Sequence, residues 1–251
     1  MPRFYVSPEY IKDKKIVISS AEARHIKNVL RVGKGDMITV FDGTGREYAV
    51  LVENMASTKV EGRIIEERMV QTETQIEITL FQGLPKSGKM DFVIEKCTEL
   101  GAKKIVPVLT ARSIPDIDEK NINKRMARWE RIAREATKQC GRTQVPQVSK
   151  IIQLQDAFKE KFDLCLILWE GEKDCKLKDV LNKYEIFKYP CRVGIFIGPE
   201  GGFTREEIGQ ARYNNAISIS LGPRILRTET AGMTATAIVM YELEPKNTLT
   251  R

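Results

Sequence analysis

Two loops near the C-terminus, each containing glycine and proline, constrain the fold of this chain most. The first spans residues 198–202 (GPEGG), and the second spans residues 221–231 (LGPRILRTETA). Each loop follows a short apolar run typical of a buried strand and precedes a segment with helical periodicity. In open α/β sheets, ligands bind in the crevice where the strands end. The pair therefore predicts one cradle for a nucleotide-like cofactor that is held mainly by main-chain groups.

The sequence from residue 76 onward alternates between strand and helix patterns. Its near-continuous apolar runs are typical of parallel strands that are buried on both faces. Thr204 and Glu207 have the spacing of a helix-capping box. We therefore expect an α/β domain with a mostly parallel sheet. The expected strands are 76–81, 104–108, 164–169, 193–197 and 216–221, and the expected helices are 90–100, 122–140 and 228–241.

The first seventy residues have a different pattern, with short β-branched segments and tight turns. Expected strands at 15–18, 37–41, 48–52 and 59–65 surround one expected helix within 19–33. This pattern predicts a small β-barrel. Because residues 71–75 are polar and lack an apolar period, we expect two domains, 1–70 and 71–251.

Composition narrows the class of protein. Lys and Arg total 41 against 34 Asp and Glu, a net charge of +7, which is suggestive of a polyanionic partner. No apolar run approaches the roughly 20 residues of a membrane helix, and the N-terminus does not resemble a signal peptide, so a cytoplasmic protein without a membrane partner is expected. The five cysteines form no CxxC pair and His25 is the single histidine, so neither a metal site nor a disulfide framework is expected.

Residues 83–90 (GLPKSGKM) nearly match a phosphate-binding P-loop. The motif requires Ser or Thr after the final lysine, because that hydroxyl ligates magnesium. Met90 stands at this position, and its thioether is a poor magnesium ligand. A P-loop-like NTPase therefore stays an alternative that the missing hydroxyl disfavours, and Lys86 and Lys89 then form a basic loop suited to touching phosphates.

The two C-terminal loops resemble those of the SPOUT class of knotted, S-adenosylmethionine-dependent RNA methyltransferases. Within that class the chain is similar to the RsmE family of 16S rRNA (uracil-N3)-methyltransferases over nearly its whole length. The resemblance implies a PUA-like β-barrel at the N-terminus and a deep trefoil knot in the C-terminal domain. It also implies a homodimer, and a uridine of the U1498 type in 16S rRNA of the small ribosomal subunit as target. The chain departs from the family at residues 110–113 and at Cys140.

The resemblance also implies roles for individual residues. Arg227 is the first candidate for stabilising charge on the uracil oxygens and Arg112 the second. Glu229 or Glu200 could accept the N3 proton, although Glu229 could equally serve as a helix N-terminal carboxylate. The implied cofactor contacts are Leu168, Glu170, Gly171, Gly198, Pro199, Glu200, Gly201, Gly202, Leu221, Gly222, Ile225, Leu226, Arg227 and Thr230. The candidates for RNA phosphate binding are Arg3, His25, Arg31, Lys86, Lys89, Arg112, Arg134, Lys138 and Arg142.

A non-enzymatic RNA-binding factor is the alternative from another class. Such a factor would use the small barrel and the basic surface, and it would explain the net charge. It would leave the two glycine loops without a role. Binding of S-adenosylmethionine by the protein alone separates the two possibilities.

Overall fold

The computed structural model describes residues 3–19, 22–24, 26, 32–86, 88–113 and 119–245. The chain consists of two compact units. The first unit contains Met1–Glu73 and Thr137–Val145, and the second contains Thr74–Ala136 and Pro146–Arg251. The sequence interpretation had one continuous boundary between residues 70 and 71. It placed residues 137–145 in the second domain, because the helical pattern runs without a break into that segment.

The first unit is built on a six-stranded sheet in the order β1-β4-β5-β6-β3-β2. Neighbouring strands are antiparallel except for β1 and β4, which are parallel. A short 3-10 helix, Pro8–Tyr10, precedes β2. The strands are β1 (Arg3–Tyr5), β2 (Ile11–Lys12), β3 (Lys15–Ser19), β4 (Met37–Phe41), β5 (Arg46–Met55) and β6 (Lys59–Met69).

This sheet is curled into a half-barrel with a hydrophobic interior. Strands β5 and β6 are the longest, and register shifts at Ala49/Val50 and Val52/Asn54 bend them. Alternate residues such as Ile16, Ile18 and Val50 are buried, as expected of strands with one face on a core. The four strands expected here are confirmed. Most of the helix expected within 19–33 lies outside the described residues.

Segment 137–145 is fastened to the first unit by Arg3 and Arg142. The Arg3 guanidinium donates hydrogen bonds to the main-chain oxygens of Thr137, Lys138 and Arg142 at 3.3, 3.4 and 2.6 Å. Arg142 is itself buried and pairs with Glu73. These contacts explain why a segment distant in sequence belongs to this unit.

The second unit is built on a seven-stranded sheet in which every recorded pairing is parallel. The order is β10-β8-β7-β12-β11-β13, and β9 also pairs with β8. The strands are β7 (Ile76–Gly83), β8 (Lys104–Leu109), β9 (Gln147–Val148), β10 (Ile152–Gln153), β11 (Leu164–Leu168), β12 (Cys191–Ile197) and β13 (Ile217–Ile219). The helices are α1 (Lys89–Glu99), α2 (Glu119–Cys140), α3 (Leu154–Ala157), α4 (Leu177–Lys183), α5 (Arg205–Tyr213) and α6 (Thr228–Leu243).

The α/β fold with a mostly parallel sheet, predicted from the alternating pattern, is confirmed. The capping box is also present: Glu207 N–H donates to Thr204 Oγ1, and Thr204 N–H donates to the Glu207 carboxylate. The two-residue strands and the short helices α3 and α4 were missed, because segments this short carry almost no periodic signal. The strand order does not by itself establish a knot, which stays a prediction. Among the described residues, no helix has the length and apolar character needed to cross a bilayer.

The parallel sheet fixes where a ligand can bind. Because β7, β11, β12 and β13 run in the same direction, their carboxyl ends lie on one edge of the sheet. The loops that follow these strands therefore share that edge, as the sequence interpretation required.

Replacement of Arg142 by Met should destabilise the first unit. The change leaves the Glu73 carboxylate, whose side chain is 21% exposed, without its cation, and we expect a loss of about 1–3 kcal/mol in the free energy of unfolding. Arg46→Met is the matched control, because the Arg46–Glu67 pair is 53% and 51% exposed, so water screens it and its loss should change the stability much less. Native-state hydrogen exchange of the β5 and β6 amides measures both changes. Equal effects of the two substitutions would contradict the structural role of Arg142.

Candidate functional site

A cavity of about 790 Å³ lies within the second unit, at the carboxyl edge of its sheet. Its walls come from the loops after β11, β12 and β13 and from the start of α6. Cavities of this size accept ligands as large as a nucleoside derivative. The lining residues are Leu168, Trp169, Glu170, Glu172, Lys173, Lys176, Ile197–Gly202 and Ile219–Thr228, with Ala231.

The loop after β12 is folded tightly against the end of β7. Gly202 N–H donates to Pro199 O at 2.9 Å, and Gly202 has φ +68°, a conformation that favours glycine. A Cβ on Gly83, at the end of β7, would lie 2.5 Å from Pro199 N. Glycine at position 83 therefore permits the loop 198–202 to approach the main chain of β7.

A buried hydroxyl joins three of the segments around the cavity. Thr228 Oγ1, at the start of α6, donates to Gly198 O at 2.5 Å and accepts from Gln82 Nε2 at 2.7 Å. Gln82 and Thr228 are both buried. The end of β7, the loop after β12 and the first turn of α6 are consequently held in one arrangement.

The walls combine apolar side chains with main-chain groups and three carboxylates, those of Glu170, Glu172 and Glu200. Leu168, Ile219 and Ala231 contribute apolar surface. Glu170 is exposed, and its carboxylate lies so close to Gly202 that a Cβ there would be 2.5 Å from Glu170 Oε1. These residues fit a purine ring that is flanked by hydroxyl groups, because a carboxylate accepts hydrogen bonds from hydroxyls while the glycine main chain can approach a ligand closely.

Two arginines lie at this cavity without an ion-pair partner in the described part of the chain. Arg224 and Arg227 both line the cavity and are exposed. Arg227 occupies the position just before α6. Guanidinium groups at this place can bind an anionic or electron-rich substrate beside the cofactor.

Arg112 contacts the loop 198–202, which is called the glycine loop below, without being part of the cavity lining. Its Nη1 donates to Gly201 O at 2.6 Å. The neighbouring Ala111 N–H donates to the buried capping residue Glu207 at 2.7 Å. Arg112, predicted as a catalytic candidate, is thereby placed where it holds the loop 198–202.

Glu200 and Glu229 share one lysine. Glu200 accepts from Lys86 N–H at 3.1 Å and from Lys89 Nζ at 2.9 Å, and Lys89 Nζ is 3.5 Å from Glu229 Oε2. Burial acts to raise the pKa of Glu200, but Lys89 and main-chain N–H groups outweigh it and lower this pKa. The hydrogen bond to Glu200 in turn raises the pKa of Lys89. A carboxylate stabilised in this way is a weak proton acceptor.

The near P-loop does not have the arrangement of an NTPase. Met90 is buried at 2% exposure in the first turn of α1 and offers no hydroxyl to a magnesium ion. The Glu200 carboxylate accepts from the Lys86 N–H and the Lys89 ammonium, which in a true P-loop would face phosphate. The local geometry therefore disfavours the NTPase alternative.

Twelve of the fourteen residues predicted to contact a cofactor line the cavity; Gly171 and Thr230 do not. Gly171 instead gives room to Trp169, whose ring lies 2.4 Å from the position of a Cβ at residue 171. Sequence reasoning missed Trp169, Lys173 and Lys176. They follow β11 directly, and this position could have indicated them, because the loops after β12 and β13 at the same edge of the sheet had already been assigned to the site.

The residues predicted to bind RNA phosphates are differently placed. Arg3 pairs with Glu47, Lys138 with Glu22 and Arg142 with Glu73, so these three have partners within the first unit. Lys86 is exposed in the loop before α1, Lys89 is bound to carboxylates, and Arg134 is half-buried in α2. His25 and Arg31 lie outside the described residues.

Comparison with known protein families matches both units. Residues 72–240 match the model of an RNA methyltransferase domain, and residues 18–65 match that of an RNA methyltransferase PUA domain. The first of these matches covers well over half of the chain.

Individual relatives agree with these matches. Ribosomal RNA small subunit methyltransferase E of Bacillus subtilis is 33% identical over 90% of each chain. The protein of the same name from Rickettsia conorii is 32% identical over 94% of each chain. The crystal structure of that enzyme from Neisseria gonorrhoeae, bound to S-adenosyl methionine, has a TM-score of 0.83, with 34% identity over 96% of this chain and 97% of the other. This chain thus belongs to the RNA methyltransferase family that includes the ribosomal RNA small subunit methyltransferase E proteins.

Proposed function

We propose that this chain transfers a methyl group from S-adenosylmethionine to N3 of a uridine in 16S rRNA of the small ribosomal subunit. The observation that carries the proposal is the cavity of about 790 Å³, with the glycine loop 198–202 and two arginines that have no ion-pair partner among the described residues. Relatives of this chain carry the name of an rRNA small subunit methyltransferase, and a neighbour at 34% identity was solved with S-adenosyl methionine bound. The choice of N3 and of the uridine extends the family resemblance.

The chain would hold the cofactor through groups that are already in place. Leu168, Ile219 and Ala231 face an apolar ring, and Glu170 accepts from hydroxyl groups. The main chain of 198–202 and 221–227 supplies polar contacts. When bound, S-adenosylmethionine supplies an electrophilic methyl group on its sulfonium. Fixed placement of the two reactants can contribute on the order of 7–11 kcal/mol to lowering the barrier.

Arg227 is the residue best placed to act on the uracil. Loss of the N3 proton puts negative charge on the uracil oxygens, and a fixed guanidinium beside them stabilises that charge. Arg227 lines the cavity and has no ion-pair partner among the described residues. Neither Glu200 nor Glu229 is assigned as the base, since both contact Lys89.

The target uridine must be accessible at its Watson–Crick edge, because N3 is engaged when the base is paired. The enzyme would therefore act on an unpaired or flipped nucleotide. The first unit is proposed to bind the surrounding RNA, which is supported by its match to an RNA methyltransferase PUA domain.

A homodimer is proposed on the outward face of α6. Met233, Ala237, Ile238 and Tyr241 lie on the side of this helix away from its buried residues, and Tyr241 is 83% exposed. A helix that is apolar on nearly all sides normally lies inside a core or an interface. The neighbouring helix α1 packs against α6 and adds Phe92, which is 42% exposed. A second copy of the chain would cover these apolar side chains.

Replacement of Gly83 by Ala should weaken cofactor binding. The added Cβ would lie 2.5 Å from Pro199 N and 2.8 Å from Gly198 C, so the glycine loop must shift. We expect about tenfold weaker binding of S-adenosylmethionine, or 1.4 kcal/mol, in isothermal titration calorimetry. Gly209→Ala is the control, because a Cβ at that helical position meets nothing within 4 Å. Unchanged affinity in Gly83→Ala would contradict the proposed position of the cofactor.

Replacement of Arg227 by Met should slow methyl transfer. Removal of one group that stabilises developing charge typically lowers kcat by about 10²- to 10³-fold. The measurement is the rate of methyl incorporation into small ribosomal subunits, with the position mapped by mass spectrometry of the rRNA. Arg205→Met, an exposed change on α5 away from the cavity, serves as control. Wild-type rates in Arg227→Met, or a methyl group on another nucleotide, would refute the assignment.

Replacement of Ile238 by Asp should give a monomer, because the new carboxylate would be desolvated at the interface. Sedimentation velocity distinguishes the two states. Phe187→Ser is the control, since Phe187 is 89% exposed in the segment between α4 and β12. If Ile238→Asp sediments like the wild-type protein, the α6 face is not the dimer interface.

A further inference from the structure

The loop that resembles a P-loop contacts a residue of the cavity lining. It runs from Leu84 to the start of α1 and presents a main-chain N–H, at Lys86, and an ammonium group, at Lys89. In a nucleotide-binding protein these groups would face phosphate oxygens. Here both are directed at the carboxylate of Glu200, a residue of the cavity lining.

Lys89 connects two segments that both border the cavity. Its Nζ is 2.9 Å from Glu200 Oε1, in the glycine loop, and 3.5 Å from Glu229 Oε2, in the first turn of α6. Glu229 Oε2 is buried and has no hydrogen-bond partner within the described residues, so the lysine is its nearest compensating charge. The glycine loop, the first turn of α6 and the start of α1 thus meet at the ammonium group of Lys89.

We propose that Lys89 is a positioning residue for the methyl-transfer site, which holds Glu200 and Glu229 so that the glycine loop and the start of α6 keep the shape that receives the cofactor. The inference rests on the proposed function of the cavity. Lys89 lies outside the cavity lining and acts through Glu200, which lies within it.

The chain contains an internal comparison for this role. Lys86 lies three positions earlier in the same loop; its main-chain N–H binds Glu200, while its side chain is exposed. A side-chain change at Lys86 removes the same charge from the loop but leaves the contact to Glu200. A general electrostatic effect and a positioning effect can therefore be separated.

The expected effect is moderate because the pair is partly exposed, at 34% for Lys89 and 31% for Glu200. A charge-assisted hydrogen bond in such a setting is weakened by solvent. We expect Lys89→Met to bind S-adenosylmethionine about fivefold more weakly, an order-of-magnitude figure for a screened charge-assisted contact.

The pH dependence of cofactor binding should also depend on the contact between Lys89 and Glu200. The pKa of Glu200 is lowered, so the contact persists while the pH falls through the ordinary range of a glutamate and is lost only when Glu200 is protonated. Without Lys89 that pKa rises. The loss of cofactor affinity on acidification should therefore begin at a higher pH in Lys89→Met than in the wild-type protein.

The experiment is calorimetric titration of the full-length protein with S-adenosylmethionine in the absence of RNA. Lys89→Met should bind more weakly, Lys89→Arg should recover most of the affinity, and Lys86→Met should bind like the wild-type protein. Glu200→Gln tests the same contact from its other side, and in that background Lys89→Met should cost less affinity than it does in the wild-type protein, because only the contact to Glu229 remains to be broken.

Equal cofactor affinity in Lys89→Met and Lys86→Met would overturn the proposal, because it would show that Lys89 does not position the loop. If Lys89→Met fails to fold, Lys89→Arg and Glu200→Gln keep the comparison available. Failure of the wild-type protein to bind S-adenosylmethionine would instead defeat the proposed function itself.

Discussion

The rest of the site depends on the two hydrogen bonds that the Thr228 hydroxyl makes. This hydroxyl donates to Gly198 O and accepts from Gln82 Nε2, so one buried atom joins the end of β7, the loop after β12 and the start of α6. An unpaired polar group at this depth would be costly, which restricts the three segments to one arrangement. The cavity is the space that this arrangement leaves at the edge of the sheet.

Around this centre, further polar contacts hold the loop 198–202 and the neighbouring main chain at Ala111. Arg112 holds Gly201 O, Glu207 holds the main chain of Ala111, and Lys89 holds Glu200. Each of these residues sits beside the cavity rather than inside it. The cavity lining offers a ligand main-chain atoms, apolar side chains, Glu170, two lysines (Lys173 and Lys176) and two arginines (Arg224 and Arg227), which is a suitable set for a nucleoside-like methyl donor and an electron-rich base.

The sequence predicted the elements with strong periodic signals and the residues of the two glycine loops. The parallel sheet and the capping box at Thr204 could be located because each lies in a run with a clear pattern, whereas the cofactor residues came from the family resemblance, and twelve of those fourteen line the cavity. Ion-pair partners could not be predicted in the same way. Arg142 and Lys89 look like available cations in the sequence, but tertiary contacts give them carboxylates that lie 69 and 111 positions away. The contacts of Gln82 with Thr228 and of Gly83 with the loop 198–202 also could not be predicted, because they depend on distant parts of the chain.

Hydrogen–deuterium exchange of the wild-type protein with and without S-adenosylmethionine tests the central claim most directly. The account predicts that the cofactor slows exchange in residues 197–202 and 219–228 and leaves β5 and β6 of the first unit unchanged, because the main chain of those two loops grips the ligand. Protection located elsewhere, or no change in either loop, would contradict it.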